Sequence, residues 1–397
     1  MGQIPTQRLY YEDAYLQKFT ATVTGCEAQK DGFTVTLDRT AFYPEGGGQP
    51  ADHGILGDAK VLDVQEQGGR LLHTTDRPLE VGTTVEGIID WPRRFLFMQQ
   101  HTGEHIVSGI THRLFQWNNV GFHMGAQAVT VDFNGELTTD QIAQVEHLAN
   151  QAVYENLPVQ AEWPSKEELE QIDYRSKKEL AGEVRIVTIP GYDCCACCGL
   201  HTAQTGEVGA IKVVAMQRYK GGVRVTLQFG SRALADYDEK LKSVTDISVL
   251  LSAKPEEVVG AVERLLSERD HLRQQVYQLQ QEIFAQKVAA VPEGQERVCF
   301  FEEGLSPDSL RNFCLALSER ARTAVVFSGT DADGWKYAIA GKEDVRSLGR
   351  ALNQRFSGRG EERQSWSKGP YRGRGRPLNP LFLRTCCRPN GYQPENS

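Results

Sequence analysis

Long apolar runs are missing from this 397-residue chain: none reaches the ~18 residues that a membrane-spanning helix needs. The opening residues, MGQIPTQRLYYEDAY, also lack the basic-then-apolar layout of a secretion signal. A cytoplasmic protein without membrane association is therefore expected. Positive charge is in deficit, with 44 Lys and Arg against 52 Asp and Glu and a formal net charge of −8. That balance argues against indiscriminate coating of nucleic acid, although a local basic face still suffices to grip the phosphates of one RNA. No Gly-rich loop ends in the Lys-Ser or Lys-Thr of a Walker phosphate site. A disulfide framework is not expected either. The nine cysteines are odd in number, and four of them crowd together as Cys194, Cys195, Cys197 and Cys198. In a reducing compartment such a cluster points to metal chemistry.

Hydrophobic residues make up 40% of the chain, enough to build more than one core. The pattern reads as an α+β protein in several parts. Residues 1–91 alternate apolar and polar, with FTATV at 19–23 and FTVTL at 33–37 as strands, and are expected to form a small β-barrel carrying a glycine-rich loop. Residues 92–235 mix a helix around HTGEH, a strand at 129–133, a helix opening at Thr139 and strands around the cysteines, and read as an α+β domain. Residues 236–290 are helical. There Val262, Arg269, Val276 and Ile283 recur every seven residues, and Leu265, Leu272 and Leu279 form a second series offset by three. This heptad seam has two readings: a helical hairpin packed on its own chain, or a coiled coil that joins two copies through residues 258–283. Residues 291–360 alternate strand and helix as a small α/β domain. After Gly360 the composition changes abruptly, setting residues 361–397 apart.

His101 and His105 stand four residues apart, which on a helix places both imidazoles on one face, a turn apart, where one ion can meet them. Cys197 and His201 repeat the spacing around Gly199. A thiolate with three imidazoles suits Zn2+ by ligand softness. Cys194, Cys195 and Cys198 compete, since Cys194 with Cys197 and Cys195 with Cys198 each form a C-x-x-C of redox or structural type. HTGEH also matches the inverted zinc-protease pattern H-x-x-E-H, with Glu104 as general base and a downstream acid such as Glu183 as a further ligand. Upstream, Gly46, Gly47 and Gly48 precede Gln49. These glycines let the backbone approach a ligand closely, and loop N–H groups with the Gln49 amide can grip a ribose or an amino acid.

The order TAFYPEGGGQPADHG, HTGEH, CCGLHTAQTGEVGAIKV resembles the editing domain of alanyl-tRNA synthetase and its stand-alone relatives, the AlaX proteins. The match covers roughly residues 8–235, and the helical segment with the following α/β domain resembles the DHHA part found in the long AlaX form. The resemblance places zinc on His101, His105, Cys197 and His201. It puts the family's binding elements on Thr40, Phe42, Tyr43, Pro44, Gly47, Gly48 and Gln49. It implies hydrolysis of tRNA(Ala) mischarged with serine, and also with glycine. Thr40 is then the candidate to hydrogen-bond the seryl hydroxyl, Gln49 and the loop N–H groups orient the ester, and His123 is a further contact or a plain surface or core histidine. Zinc can activate the ester or anchor the substrate, and both remain open here. The chain departs from the family where C-G-G-T-H is usual. It has Cys197-Cys198-Gly199-Leu200-His201, which adds a second thiol and removes a hydroxyl. No class II catalytic domain precedes these motifs, so no aminoacylation is expected, and the ligase and ATP-binding properties belong to the synthetase side of the family.

The DHHA domain carries a glycine-rich stretch near its end, which Gly358-Arg359-Gly360 begins and residues 361–371 do not continue. With suitable codons, a shift back by one base over residues 361–372 reads GGKAKLVQGSLQ, which resembles the missing stretch. A frameshift after Gly360 is one expectation. A basic tail with Arg363, Lys368, Arg372, Arg374 and Arg376 is the other. Two further functions stand beside tRNA editing: a zinc metalloprotease of H-x-x-E-H type, and a non-catalytic, zinc-containing RNA-binding module.

Overall fold

Alternating burial decides the first element. In β1 (Lys18–Gln29) Phe19, Ala21 and Val23 point inward while Lys18, Thr20 and Thr24 face water, the period of two that a half-buried strand requires. This computed structural model describes residues 5–30, 32–176, 182–330, 333–356, 361–362 and 366–371. The chain divides into two compact units, residues 1–246 and 247–397.

The first unit begins with an antiparallel barrel. Its strands are β1, β2 (Gly32–Leu37), β3 (Gly54–Leu56), β4 (Ala59–Gln67), β5 (Arg70–Thr75) and β6 (Thr84–Ile89). They run in the order β1-β2-β5-β4-β3-β6, and β6 pairs back to β1 from Lys18↔Ile88 to Thr22↔Thr84. Register shifts between Val23 and Gly25 and between Val61 and Asp63 bend the sheet toward closure. Val35, Leu37, Phe42, Leu56, Val61 and Val64 fill the interior.

Helix α1 (Trp91–Phe115) follows. Asp90 caps it by accepting the Arg93 N–H, Pro92 sits in its first turn, and Gln116 ends it in a left-handed conformation. From Phe97 to Thr111 all but one residue of α1 is buried, including Gln100, His101, Thr102, Glu104, His105, Ser108 and Thr111. A helix enclosed on all sides yet so polar must find a partner for each of these groups. Around it lie β7 (Asn119–Met124), β8 (Val129–Phe133), α2 (Thr139–Glu155), β9 (Ile186–Ile189), β10 (Asp193–Ala196), β11 (Ile211–Tyr219) and β12 (Gly222–Phe229). The main sheet has the order β11-β12-β8-β7, and β9 and β10 join the short strand Gln160–Glu162 in a second sheet. Thr138 and Gln141 start α2 with a capping box. Ile106, Val107 and Ile110 of α1 pack with Val129, Val131, Val145, Val225 and Phe229 in the core of this part.

Helix α3 (Ser231–Leu251) leads on to α4 (Val258–Ala289). The second unit then builds a sheet from β13 (Gln295–Glu302), β14 (Ala321–Thr330) and β15 (Gly334–Gly341), with α5 (Pro307–Arg320) between the parallel pair β13 and β14. Helix α6 (Arg346–Phe356) follows β15. Phe284 of α4 packs with Leu310, Phe313, Leu317 and Val326. Trp366–Tyr371 pairs antiparallel with β15, and Glu361–Glu362 pairs with that strand in turn. Residues 361–362 and 366–371 of the anomalous tail thus extend the sheet. Of the basic-tail residues, Lys368 lies in this added strand, whereas Arg363, Arg372, Arg374 and Arg376 lie outside the described residues, as do 363–365 and 372 of the frameshift stretch. Along α4 only Ala261 and Phe284 are buried, and Val262, Leu265, Leu272, Val276, Leu279 and Ile283 are all exposed. The described residues therefore leave the heptad seam exposed. No helix among the described residues is long and apolar enough to cross a membrane.

Candidate metal centre

His101 and His105, one turn apart on α1, bring their rings to 5.2 Å. The loop after β10 returns Cys197 and His201 to the same place. His201 lies 4.5 Å from the His101 ring and 4.7 Å from the His105 ring, and Cys197 Sγ is 3.4 Å from His101 Nε2. One ligand atom from each of the four falls within 4.8 Å of all the others. The three histidines are buried and Cys197 is half-buried.

The chemistry of the set fits a metal ion. Neither ring nitrogen of His201 has a hydrogen-bond partner, although both are buried. Leaving such a group unpaired costs about 1–3 kcal/mol, and an ion between the four residues removes that cost. Burial, with the neighbouring His101, pushes His201 down to about 3 and keeps it neutral, as a ligand must be. Burial alone raises the Cys197 thiol, but the imidazoles of His101 and His105 outweigh it and hold Cys197 well below the ordinary thiol range. Burial likewise pulls His105 down, and the Cys197 sulfur and Asp193 carboxylate overcome it to reach about 9. One thiolate and three imidazoles are, by type and number, a donor set that could hold one metal ion.

The competing cysteines stand apart from this set. Burial pushes the Cys195 and Cys194 thiols up, and Cys194 lies 3.7 Å from the Thr188 hydroxyl. Cys198 is exposed. A second group, His105 with Asp193 and Cys195, shares a ligand with the first, but both Asp193 oxygens are taken by Arg175.

The glycine loop reaches the cluster through Gln49. Gly46 and Gln49 exchange N–H···O bonds of 3.0 Å, and Gly47 and Gly48 between them have φ of 62° and 83°. Positive φ at both central residues is what a type I′ turn demands. A side chain at Gly48 would also stand 2.6 Å from Phe122, whose ring stacks on His101. Gln49 is fully buried. Its Oε1 accepts the His101 Nδ1–H at 3.1 Å and the Leu200 N–H at 3.0 Å, while its Nε2 has no partner. Gly199 is required for space, because a Cβ there would lie 2.0 Å from the His101 ring.

Groups beyond the ligands and the glycine turn hold this arrangement. Arg185 donates to the carbonyls of Cys197 (3.1 Å) and Gly199 (2.8 Å), and Tyr11 donates to that of Cys198 at 3.0 Å. Tyr43 Oη lies between the carbonyls of Gly46 and Cys198, at 3.2 and 3.3 Å, and links the two loops. Arg94, buried in the first turns of α1, donates from Nε to both Asp52 oxygens at 2.9 Å and from Nη1 to the Ala14 carbonyl at 3.1 Å. Asp52 accepts the Tyr43 N–H at 2.6 Å. Arg94 and Asp52 thereby tie the segment before and after the glycine loop to the helix bearing the ligands.

The structure thus gathers His101, His105, Cys197, His201, Gln49, Gly47 and Gly48, and it places the other candidates differently. Thr40 lies fully buried in the barrel, with its hydroxyl 2.9 Å from His73 Nε2 and accepting the Phe42 N–H at 3.1 Å. His73 Nδ1 faces the Val35 carbonyl at 3.1 Å, which can only accept, so Nδ1 carries the hydrogen and Thr40 donates to Nε2. One lone pair of the Thr40 oxygen is left. Glu104 is buried, and its Oε1 accepts from Ser108 and Asn119. His123 is exposed. Its neighbour Phe122 faces His101, so alternation along β7 turns His123 to the opposite side. Sequence reasoning missed Asp193, Arg175, Arg185, Arg94, Asp52 and His73, whose partners lie far along the chain.

Two family matches place the chain in the tRNA-synthetase lineage. Residues 184–226 match the threonyl and alanyl tRNA synthetase second additional domain, and residues 6–93 match the family of tRNA synthetases class II (A). The chain is 33% identical over 275 residues to the alanyl-tRNA editing protein Aarsd1 of Mus musculus, covering 65% of this chain and 67% of that protein. It is 34% identical over 396 residues to the alanine–tRNA ligase of Pyrobaculum neutrophilum, covering 93% of this chain and 43% of the ligase. Against the ligase of Pyrococcus furiosus the identity is 34% over 343 residues, 81% of this chain and 37% of the ligase. The chain spans about two fifths of the length of these ligases. It belongs to the family of AlaX-type alanyl-tRNA editing proteins.

Proposed function

We propose that this protein is a trans-editing hydrolase, an aminoacyl-tRNA deacylase that cleaves the ester of tRNA(Ala) mischarged chiefly with serine and secondarily with glycine. The observation that carries the reading is the buried Cys197/His cluster joined to the glycine turn through Gln49. Such an activity answers a physical need. A pocket built for alanine discriminates against a neighbour differing by one small group by only about 1–3 kcal/mol, so fidelity calls for a second site.

His101, His105, Cys197 and His201 hold Zn2+. The ion supplies positive charge for the ester carbonyl or lowers the pKa of a water. Gln49 offers its unpartnered Nε2–H to the substrate, and the Gly47–Gly48 turn lets the terminal ribose come close. Thr40, whose proton is committed to His73, has an acceptor lone pair for the seryl hydroxyl, a group that alanine lacks. Glu104 takes a supporting rather than a reacting place in this scheme, and His123, turned to the other face of its strand, stands outside it. The protease reading needs a further carboxylate ligand, and Cys197 and His201 stand there instead.

In domain terms we read residues 1–91 as the barrel, 92–235 as the zinc-binding editing part, 236–290 as a helical linker and 291–360 as the DHHA-like domain. The exposed apolar seam of α4 supports a homodimer through residues 258–283. We place the protein in the cytoplasm, where tRNA is charged.

Deacylation of seryl-tRNA and alanyl-tRNA, both on tRNA(Ala), tests the function. Loss of serine alone is expected. No turnover of either by folded, zinc-loaded protein would send the assignment to peptide substrates or to RNA binding without catalysis.

A further inference from the structure

Asp193 and Arg175 lie against the metal centre yet contribute no ligand to its four-residue set. The Asp193 side chain, only 1% exposed, places Oδ2 2.9 Å from His105 Nδ1. Arg175 meets the same carboxylate with both arms of its fork, Nε to Oδ1 at 2.7 Å and Nη2 to Oδ2 at 2.9 Å. Arg175 is itself fixed by its backbone, which donates to the Cys194 carbonyl at 2.8 Å and accepts the Ala196 N–H at 2.9 Å along the edge of β10. Helix α1 also makes room for this pair. Gly109 follows His105 by one turn on the same face, and a side-chain carbon there would lie 2.2 Å from the Tyr192 carbonyl oxygen and 2.7 Å from Asp193 Cβ.

A buried ion pair contributes little net stability compared with apolar residues of the same shape, so its presence beside a ligand asks for another use. We propose that Asp193, clamped by Arg175 and admitted by Gly109, is a positioning residue for His105. It accepts the Nδ1–H and fixes the ring in the tautomer that would leave Nε2 free to hold an ion. The proposal rests on the reading of the Cys/His cluster as a metal centre. The three histidines are thereby supported unequally: His105 by a carboxylate, His101 by the neutral Gln49 oxygen, and His201 by no hydrogen-bonding group.

Zinc affinity of the full-length protein, measured by competition with a chelator, tests this. It is combined with the absorption spectrum of the Co2+-substituted protein and the 15N shifts of the His105 ring. Wild type binds one ion with His105 protonated at Nδ1. Asp193→Asn and Gly109→Ala are expected to weaken zinc about 10–100-fold, to shift the Co2+ bands and to move the His105 15N signals. Gly109→Ala is informative because it leaves the Asp193–Arg175 pair chemically intact and favours helix formation by propensity. If either variant fails to fold, Arg175→Lys keeps the charge, loses the fork, and is expected to weaken zinc several-fold. Equal zinc affinity and unchanged spectra in the folded variants would overturn the positioning role while leaving the metal centre standing. A wild type that binds neither Zn2+ nor Co2+ would instead remove the metal reading itself.

Discussion

His73 and His201 are both fully enclosed imidazoles of the first unit, and burial keeps both neutral, at about 4 and about 3. Their surroundings are opposite. His73 sits in the barrel with each nitrogen occupied, one by the Val35 carbonyl and one by the Thr40 hydroxyl. His201 sits beside α1 with neither nitrogen occupied and a thiolate-prone cysteine next to it. The fold itself fills both nitrogens of His73, whereas it leaves those of His201 for a ligand to complete. The barrel and the α1 region are thus built on different rules, though both carry histidines inside.

The largest expected effect lies on the unsatisfied side. Cys197→Ala should abolish stoichiometric zinc binding and lower deacylation on the order of 10³-fold, equivalent to about 4 kcal/mol of transition-state stabilisation. Metal analysis beside single-turnover kinetics reads both. On the satisfied side, removing one member of a buried pair should cost stability instead. Asp52→Ala leaves the Arg94 guanidinium uncompensated and should destabilise the protein by about 3–5 kcal/mol in urea unfolding.

His73 sharpens the comparison through pH. Its folded-state pKa lies below the unfolded value of about 6.5, so the neutral ring's contribution is fully present above pH 6.5 and is lost as pH falls toward about 4. Roughly 3 kcal/mol of stability should disappear across that window. His73→Gln should flatten this slope with zinc content unchanged, and a wild-type slope that survives the substitution would place its source elsewhere. The smallest effect on chemistry is expected far along the chain. Leu272→Lys in the exposed seam of α4 should convert dimer to monomer in sedimentation while deacylation of seryl-tRNA(Ala) stays within about twofold.

What was legible in the sequence was local. The H-x-x-x-H and C-x-x-x-H spacings and the glycine turn each lie within a few residues, and the structure brings all three together. The strands at 19–23 and 33–37 lie inside β1 and β2, and the helix expected to open at Thr139 begins there as α2. The rest depended on distant partners. Nothing near Thr40 reveals that His73, 33 residues on, takes its proton. Arg94 with Asp52 and Arg175 with Asp193 read as ordinary surface charges until the fold buries them. For His123, neither periodicity nor composition says which face of its strand it takes, and the ring of Phe122 on His101 decides it. The heptad pattern was visible in α4, but whether its own chain would cover the seam was not.

Reversible removal of the metal tests the central claim most directly. The protein would be stripped with a chelator, confirmed folded by circular dichroism, and assayed for single-turnover deacylation of seryl-tRNA(Ala) before and after one equivalent of Zn2+ is returned. Loss of the activity on stripping and its recovery on zinc addition is the predicted result. Full deacylation by the zinc-free, folded protein would contradict the account.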